Sequence, residues 1–171
     1  MIVHTYEQIE QLREAVTANA DISYRKLKEA ADTMCARDLF VAIKFEKMGV
    51  DPISGKALNL IEQINQMYSN LVVIAAAQDL IDCFPDKSFD LQLGATTGFD
   101  IQSIDGQILA ECFAVVGVAS NDKLNRDCKK LMKTKAPHKF VYFYSHGDSD
   151  TMLKNRYHKY PEIQFRRICS F

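Results

Sequence analysis

The sequence predicts an α/β domain, and three features carry that expectation. No glycine occurs before position 49, so the first third has few chain breakers and reads as helical. From about Ser88 the hydrophobic period changes from helical spacing to alternation. Within the alternating part, residues 98–114, GFDIQSIDGQILAECFA, read as a β-hairpin.

Thr5 with Gln8 makes a capping box for a first helix to about Ala18, and Asn19 to Asp21 are expected to break it. A second amphipathic helix is expected over about 23–48, carried by Leu27, Ala30, Ala31, Met34, Leu39, Ile43 and Phe45. Gly49, Pro52 and Gly55 close it. A third helix is expected over about 56–83. Leu58, Ile61, Ile64, Tyr68, Leu71 and Val72 keep helical spacing, and Pro85 ends it. Its centre, LVVIAAA, is apolar on every side, as in a helix buried deep in a domain.

Strands are expected at about 88–93, 99–104 and 107–117, with residues 94–98 connecting the first two. A helix follows over about 122–134, capped by Asn121. HKFVYFYSH, 138–146, is rich in aromatic and β-branched residues and reads as a strand. Residues 146–150 read as a turn and cap, 150–159 as a short helix, and IQFRRICSF as a last strand. Residues 1–55 thus form a helical N-terminal extension and 56–171 the core, together one compact domain.

A chain of 171 residues can bury a proper core. Its hydrophobic fraction of 47% and charged fraction of 25% are those of an ordinary globular protein. No apolar run approaches the ~18 residues that span a membrane, and the first residues lack the basic start and apolar stretch of a signal peptide. Five scattered cysteines without a CxxC read as reduced thiols, so a cytoplasmic location is expected. The four histidines show no ligand spacing, which argues against zinc. Charge is divided unevenly: residues 1–119 hold 9 Lys and Arg against 17 Asp and Glu, whereas 120–171 hold 12 against 5. A basic C-terminal third beside acids suits a site that handles phosphodiesters, although a solvated helix face would give the same count.

In the hairpin, Asp105-Gly106 signals a two-residue type I′ turn. The facing pairs are then Ile104 with Gln107, Gln102 with Leu109, and Asp100 with Glu111. Opposed residues have Cβ atoms roughly 4.5–5.5 Å apart, and like charges there repel. A cation or a shared proton offsets such repulsion, which points to a divalent metal site on the sheet. Ile108, Ala110, Cys112, Ala114 and Val116 form one small, apolar strand face, as if helices pack over it. On the other face Glu111 interrupts the row Leu109, Phe113, Val115, and buried carboxylates are rare unless paired or metal-bound. The alternative is an exposed hairpin whose acids face water.

Helix, three-stranded meander, helix, strand, with acids on the second and third strands, resembles the PD-(D/E)xK nuclease superfamily. That resemblance implies a restriction-endonuclease-like αβββαβ core over roughly 56–145. Asp100 takes the place of the first acid, and Glu111-Cys112-Phe113 the place of the acid-x-Lys element. It implies Mg²⁺, with Mn²⁺ as a substitute, held by Asp100 and Glu111, and Glu62 as a third acid from the first core helix. The family's lysine is replaced by Phe113. Lys123, near the start of the next helix, is the candidate to supply its charge, and Gln102 a candidate to orient a water. Lys123, Arg126, Lys129 and Lys130 give that helix a basic side that could contact DNA phosphates, the alternative being an ordinary amphipathic face over buried Leu124, Cys128, Leu131 and Met132. The leading expectation is a metal-dependent DNA endonuclease of a restriction or defence system, monomeric or a homodimer. A degenerate member that binds DNA or a protein without cutting, and a helical regulatory protein with no active site, are the alternatives.

Overall fold

The computed structural model describes residues 1–94, 97–117, 122–146 and 157–171. Its first helix, α1 (Tyr6–Thr33), starts at the expected capping box, with Thr5 and Gln8 satisfying each other's backbone N–H groups. It then runs through 19–21 without a break. Asn19 does not form a local turn because its polar groups are used at a distance. Its amide donates to the Pro52 carbonyl at 3.0 Å, and its carbonyl accepts from Gln63 Nε2 at 3.2 Å. The break comes instead after Thr33, whose hydroxyl folds back onto the Glu29 carbonyl at 2.8 Å before extended Met34 and Cys35. The expected second helix is therefore divided between α1 and α2 (Ala36–Phe45).

Strands β2 (Gly49–Val50) and β3 (Ala57–Leu58) form a small antiparallel hairpin. This delays α3 (Leu60–Cys83), expected from about 56, until Asn59 caps it by accepting from the Glu62 N–H at 2.8 Å. The apolar centre of α3 is buried as its composition required, with Val72, Ile74, Ala76, Ala77 and Leu80 fully enclosed.

The main sheet is mixed and six-stranded. It contains β1 (Ile2–Val3), β4 (Phe89–Leu91), β5 (Ile101–Ser103), β6 (Ile108–Val115), β7 (His138–Ser145) and β8 (Ile163–Arg167), in the order β1-β4-β5-β6-β7-β8. The two-residue β1 has no sequence signal of its own. β4, β5 and β6 form an antiparallel meander, and β7 and β8 continue parallel to β6. Helix α4 (Lys123–Met132) connects β6 to β7. Asn121, residues 147–150 of the expected turn and residues 150–156 of the expected helix at 150–159 lie outside the described residues. Among the described residues, no helix is long and apolar enough to cross a membrane.

Alternation along β6 assigns its two faces. Ile108, Ala110 and Cys112 enter one core with α1 and α3, through Ile9, Leu12, Val73 and Ala77. Leu109 and Phe113 enter a second core under α4, with Leu124, Cys128 and Leu131. The sheet is thus covered on both sides, and Glu111 is on the α4 side.

The hairpin register is the expected one, with Gln102 opposite Leu109 and Ile101 opposite Ala110. Its turn is not type I′. Gly106 N–H donates to the Ser103 carbonyl at 2.8 Å, and of the two turn residues only Gly106 takes a positive φ, +70°. The buried Ser103 hydroxyl accepts from the Ile108 N–H at 2.9 Å and donates to Asp105 Oδ1 at 2.7 Å, closing a wider loop in the same register. Asp105 also pairs with Lys87 at 2.5 Å, and that contact holds its carboxyl well below the usual carboxylate range. Ser103→Ala is expected to strand the buried Ile108 N–H and cost about 1–3 kcal/mol. Urea denaturation measures this, and a loss of only a few tenths would mean that the hydroxyl is dispensable.

Candidate functional site

Strand β5 begins only at Ile101, opposite Ala110, while β6 continues to Val115, so among the described residues the outer half of β6 lacks an antiparallel neighbour. Asp100, just outside the ladder, supplies the missing acceptor: its Oδ2 takes the Cys112 N–H at 2.7 Å. The carboxylate therefore sits at the sheet edge, open to both faces. On the α3 side it lines a hollow with Gln66, Ser69, Asn70 and Gln92. On the α4 side its charge acts on Glu111, Lys123 and Asp127.

Glu111 is 3% exposed. Lys130 reaches its Oε1 at 2.5 Å, but at an angle that leaves this oxygen without a well-directed hydrogen bond. The same ammonium donates to the Gly98 carbonyl and lies 4.7 Å from the Phe99 ring centre. Burial pushes the Glu111 carboxyl up to about 7; Lys130 offsets part of the shift, and the negative charges of Asp100 and Asp127 add to it.

Asp127 projects from α4 into the same place and is 7% exposed. It accepts from Lys123 Nζ at 2.9 Å. Burial raises the Asp127 carboxyl, and Lys123 limits the rise. For Lys123, burial alone would lower the pKa, but the bond to Asp127 and the fields of Asp127, Asp100 and Glu111 raise it. Its ammonium lies 5.6 Å from the centre of the Phe113 ring, which is itself buried against Phe143.

Of the residues expected at a site, Asp100, Glu111, Lys123 and Lys130 come together. Arg126 and Lys129 remain exposed on the outer side of α4, with Lys133 one turn further. Two expectations are not met. Glu62 is exposed, holds Asn59 and Gln66 at 3.3 Å each, and belongs to the helix on the face opposite Glu111. Gln102 is exposed on β5, its amide near Gly106 at the turn rather than beside Asp100. The third acid of the cluster is Asp127, which the sequence reading missed. Its signal was its position between Leu124 and Cys128 on the apolar side of α4, four residues after Lys123.

Among the described residues, no three His, Cys, Asp or Glu side chains gather closely enough to hold a metal ion by themselves. Mg²⁺ commonly uses one or two carboxylates and completes its shell with water and phosphate oxygens. Asp100 and Glu111, with the poorly satisfied Glu111 Oε1, are of that kind. Compared with protein-family models, curated proteins and solved structures, the chain matches none.

Folded Glu111 keeps its proton to higher pH than the ordinary 4.5, so unfolding releases protons between about pH 4.5 and 7. Stability therefore falls as pH rises through that window, and Asp127 acts in the same direction, opposed by Lys123 and Lys130. Glu111→Gln is expected to flatten most of the decline. Urea midpoints taken between about pH 5 and 8 test this; parallel profiles for wild type and variant would contradict it.

Proposed function

We propose that the core is a restriction-endonuclease-like domain of the PD-(D/E)xK kind and that the protein is a metal-dependent DNA endonuclease. The observation that carries the reading is the meeting of Asp100, Glu111 and the Lys123 ammonium at the open edge of β6, with Lys123 above the ring of Phe113. Phe113 stands where the family's lysine would be, and a lysine from the next helix brings a cation to the same region. The order α3-β4-β5-β6-α4-β7, an antiparallel meander followed by a parallel strand, also supports it.

In this reading Asp100 and Glu111 hold Mg²⁺ or Mn²⁺. When bound, such an ion lowers the pKa of a water and neutralises charge on the phosphate. Asp127 fixes the direction of Lys123, whose N–H groups then stabilise negative charge gained by the phosphate oxygens. Glu111 must give up its proton and the Lys130 contact to act as a ligand; Lys130, 41% exposed, can turn to a backbone phosphate instead. Arg126 and Lys129 contact phosphates on either side without reading sequence.

A second reading, a DNA-binding protein that does not cut, is favoured by one observation: Glu111 is enclosed and already paired with Lys130. Incubating supercoiled plasmid with Mg²⁺ or Mn²⁺ separates the two. Wild type is expected to nick it, with at least about a 10²-fold loss in Asp100→Asn, Glu111→Gln and Lys123→Ala, and little change in Glu62→Ala. Asp100→Asn keeps an acceptor for Cys112, so its loss would report charge rather than folding. Plasmid retained and shifted by wild type, yet uncut with either metal, would favour the second reading.

A further inference from the structure

The side of α3 that faces Asp100 is polar, in a helix whose centre is apolar. Asn65, Gln66, Ser69 and Asn70 line a hollow of about 230 Å³ that ends at Asp100 and Cys112. Asn65 also borders a second, open cavity of about 340 Å³, lined by Tyr68 of α3 and by Val116, Tyr144 and His146 at the C-terminal ends of β6 and β7. The shared Asn65 makes them one cleft along α3. That cleft contains one buried amide, Asn70, and one buried amide oxygen, on half-buried Gln66, with unused capacity. Asn70 is 3% exposed and its carboxamide has no hydrogen-bonding partner among the described residues. Gln66 Oε1 is buried and has none either. Buried polar groups are normally satisfied, so both are available to a ligand.

The chemistry of the walls restricts what that ligand is. Among the described residues, neither cavity has a lysine or arginine in its lining, and carboxamides make up much of the smaller one. Carboxamides offer a donor and an acceptor side by side, the pattern that meets a base edge. Two tyrosines and a histidine offer flat faces of the kind on which bases stack. Phe171 packs against both tyrosines, at 5.9 Å from Tyr68 and 4.7 Å from Tyr144. The larger cavity falls at the low end of the ~300–1,000 Å³ usual for small-molecule sites.

We infer that this cleft binds an unpaired nucleobase, stacked near Tyr68 and Tyr144 and hydrogen-bonded by Asn65, Gln66 and Asn70. As the base of a DNA strand it would bring the attached phosphate towards Asp100, so this version rests on the proposed nuclease reading. A free nucleoside carries the same chemistry. In either form the base must be unstacked, so a relaxed, continuous duplex is excluded from the cleft, and a supercoiled plasmid enters only where it opens.

The test uses 2-aminopurine fluorescence with EDTA present, so that binding is measured apart from cleavage. The probes are a single-stranded oligonucleotide carrying 2-aminopurine, its duplex, and free 2-aminopurine deoxyriboside. Wild type is expected to quench the single strand but not the duplex, with affinity about tenfold weaker in Tyr68→Ala and in Asn70→Leu. Tyr68 is 42% exposed, so its truncation leaves the core intact even if Asn70→Leu folds poorly. Equal affinity for the free deoxyriboside would keep the base site and make a small molecule its source. Absence of quenching by any probe, or quenching unchanged in Tyr68→Ala, would overturn the inference. Quenching together with an uncut plasmid would leave the base site standing and remove the nuclease reading.

Discussion

A single hydrogen bond sets the geometry of the region: the Asp100 carboxylate accepting from the Cys112 N–H. An unpaired backbone N–H inside a sheet is costly, and the short β5 leaves this one without a strand carbonyl. A side chain fills the position, and the one that does so is charged. The fold thus carries a carboxylate in the plane of its sheet, next to a second carboxylate that alternation directs under α4. No displacement of α4 is needed for the two to interact, because the β5–β6 register already brings them together.

The remainder of the cluster follows from electrostatics. Three acids in and around a low-dielectric interior repel one another, and the protein answers with two lysines about two turns apart on α4. Lys123 is committed to Asp127. Lys130 divides itself between Glu111, the Gly98 carbonyl and the Phe99 ring. The two lysines are therefore unequal. The first is held in one direction by a good hydrogen bond; the second is half exposed and loosely directed, the better suited to change partner. Buried thiols border the same region, and burial together with the charges of Asp100 and Glu111 raises the Cys112 thiol well above its usual range. Cys112 is thus a packing residue rather than a nucleophile.

Local pattern made part of this legible in the sequence. The two faces of β6, the Gln102–Leu109 register and the capping box of α1 are short-range properties, and each is read directly from spacing. The turn type was not, because a Ser103 hydroxyl replaced the backbone pairing that Asp-Gly suggested. The helix break was misplaced because Asn19 spends its polar groups on Pro52 and Gln63, far away in the chain. Asp127 was missed for a similar reason. An acid four residues from a lysine on a helix is usually a surface pair, and its burial depends on where β6 runs beneath it. The polar stripe of α3 was visible as residue types, but its role depends on a hollow that only the packed sheet creates.

The central claim is that Asp100 and Glu111 form one divalent-cation site. Titrating wild type, Asp100→Asn and Glu111→Gln with Mn²⁺ and following free ion by electron paramagnetic resonance tests it most directly, with no need for a substrate. The account predicts one site per chain in wild type, strengthening as pH rises through about 7 with the Glu111 proton, and lost in both variants. Absence of Mn²⁺ binding in wild type, or binding that survives both substitutions, would contradict it.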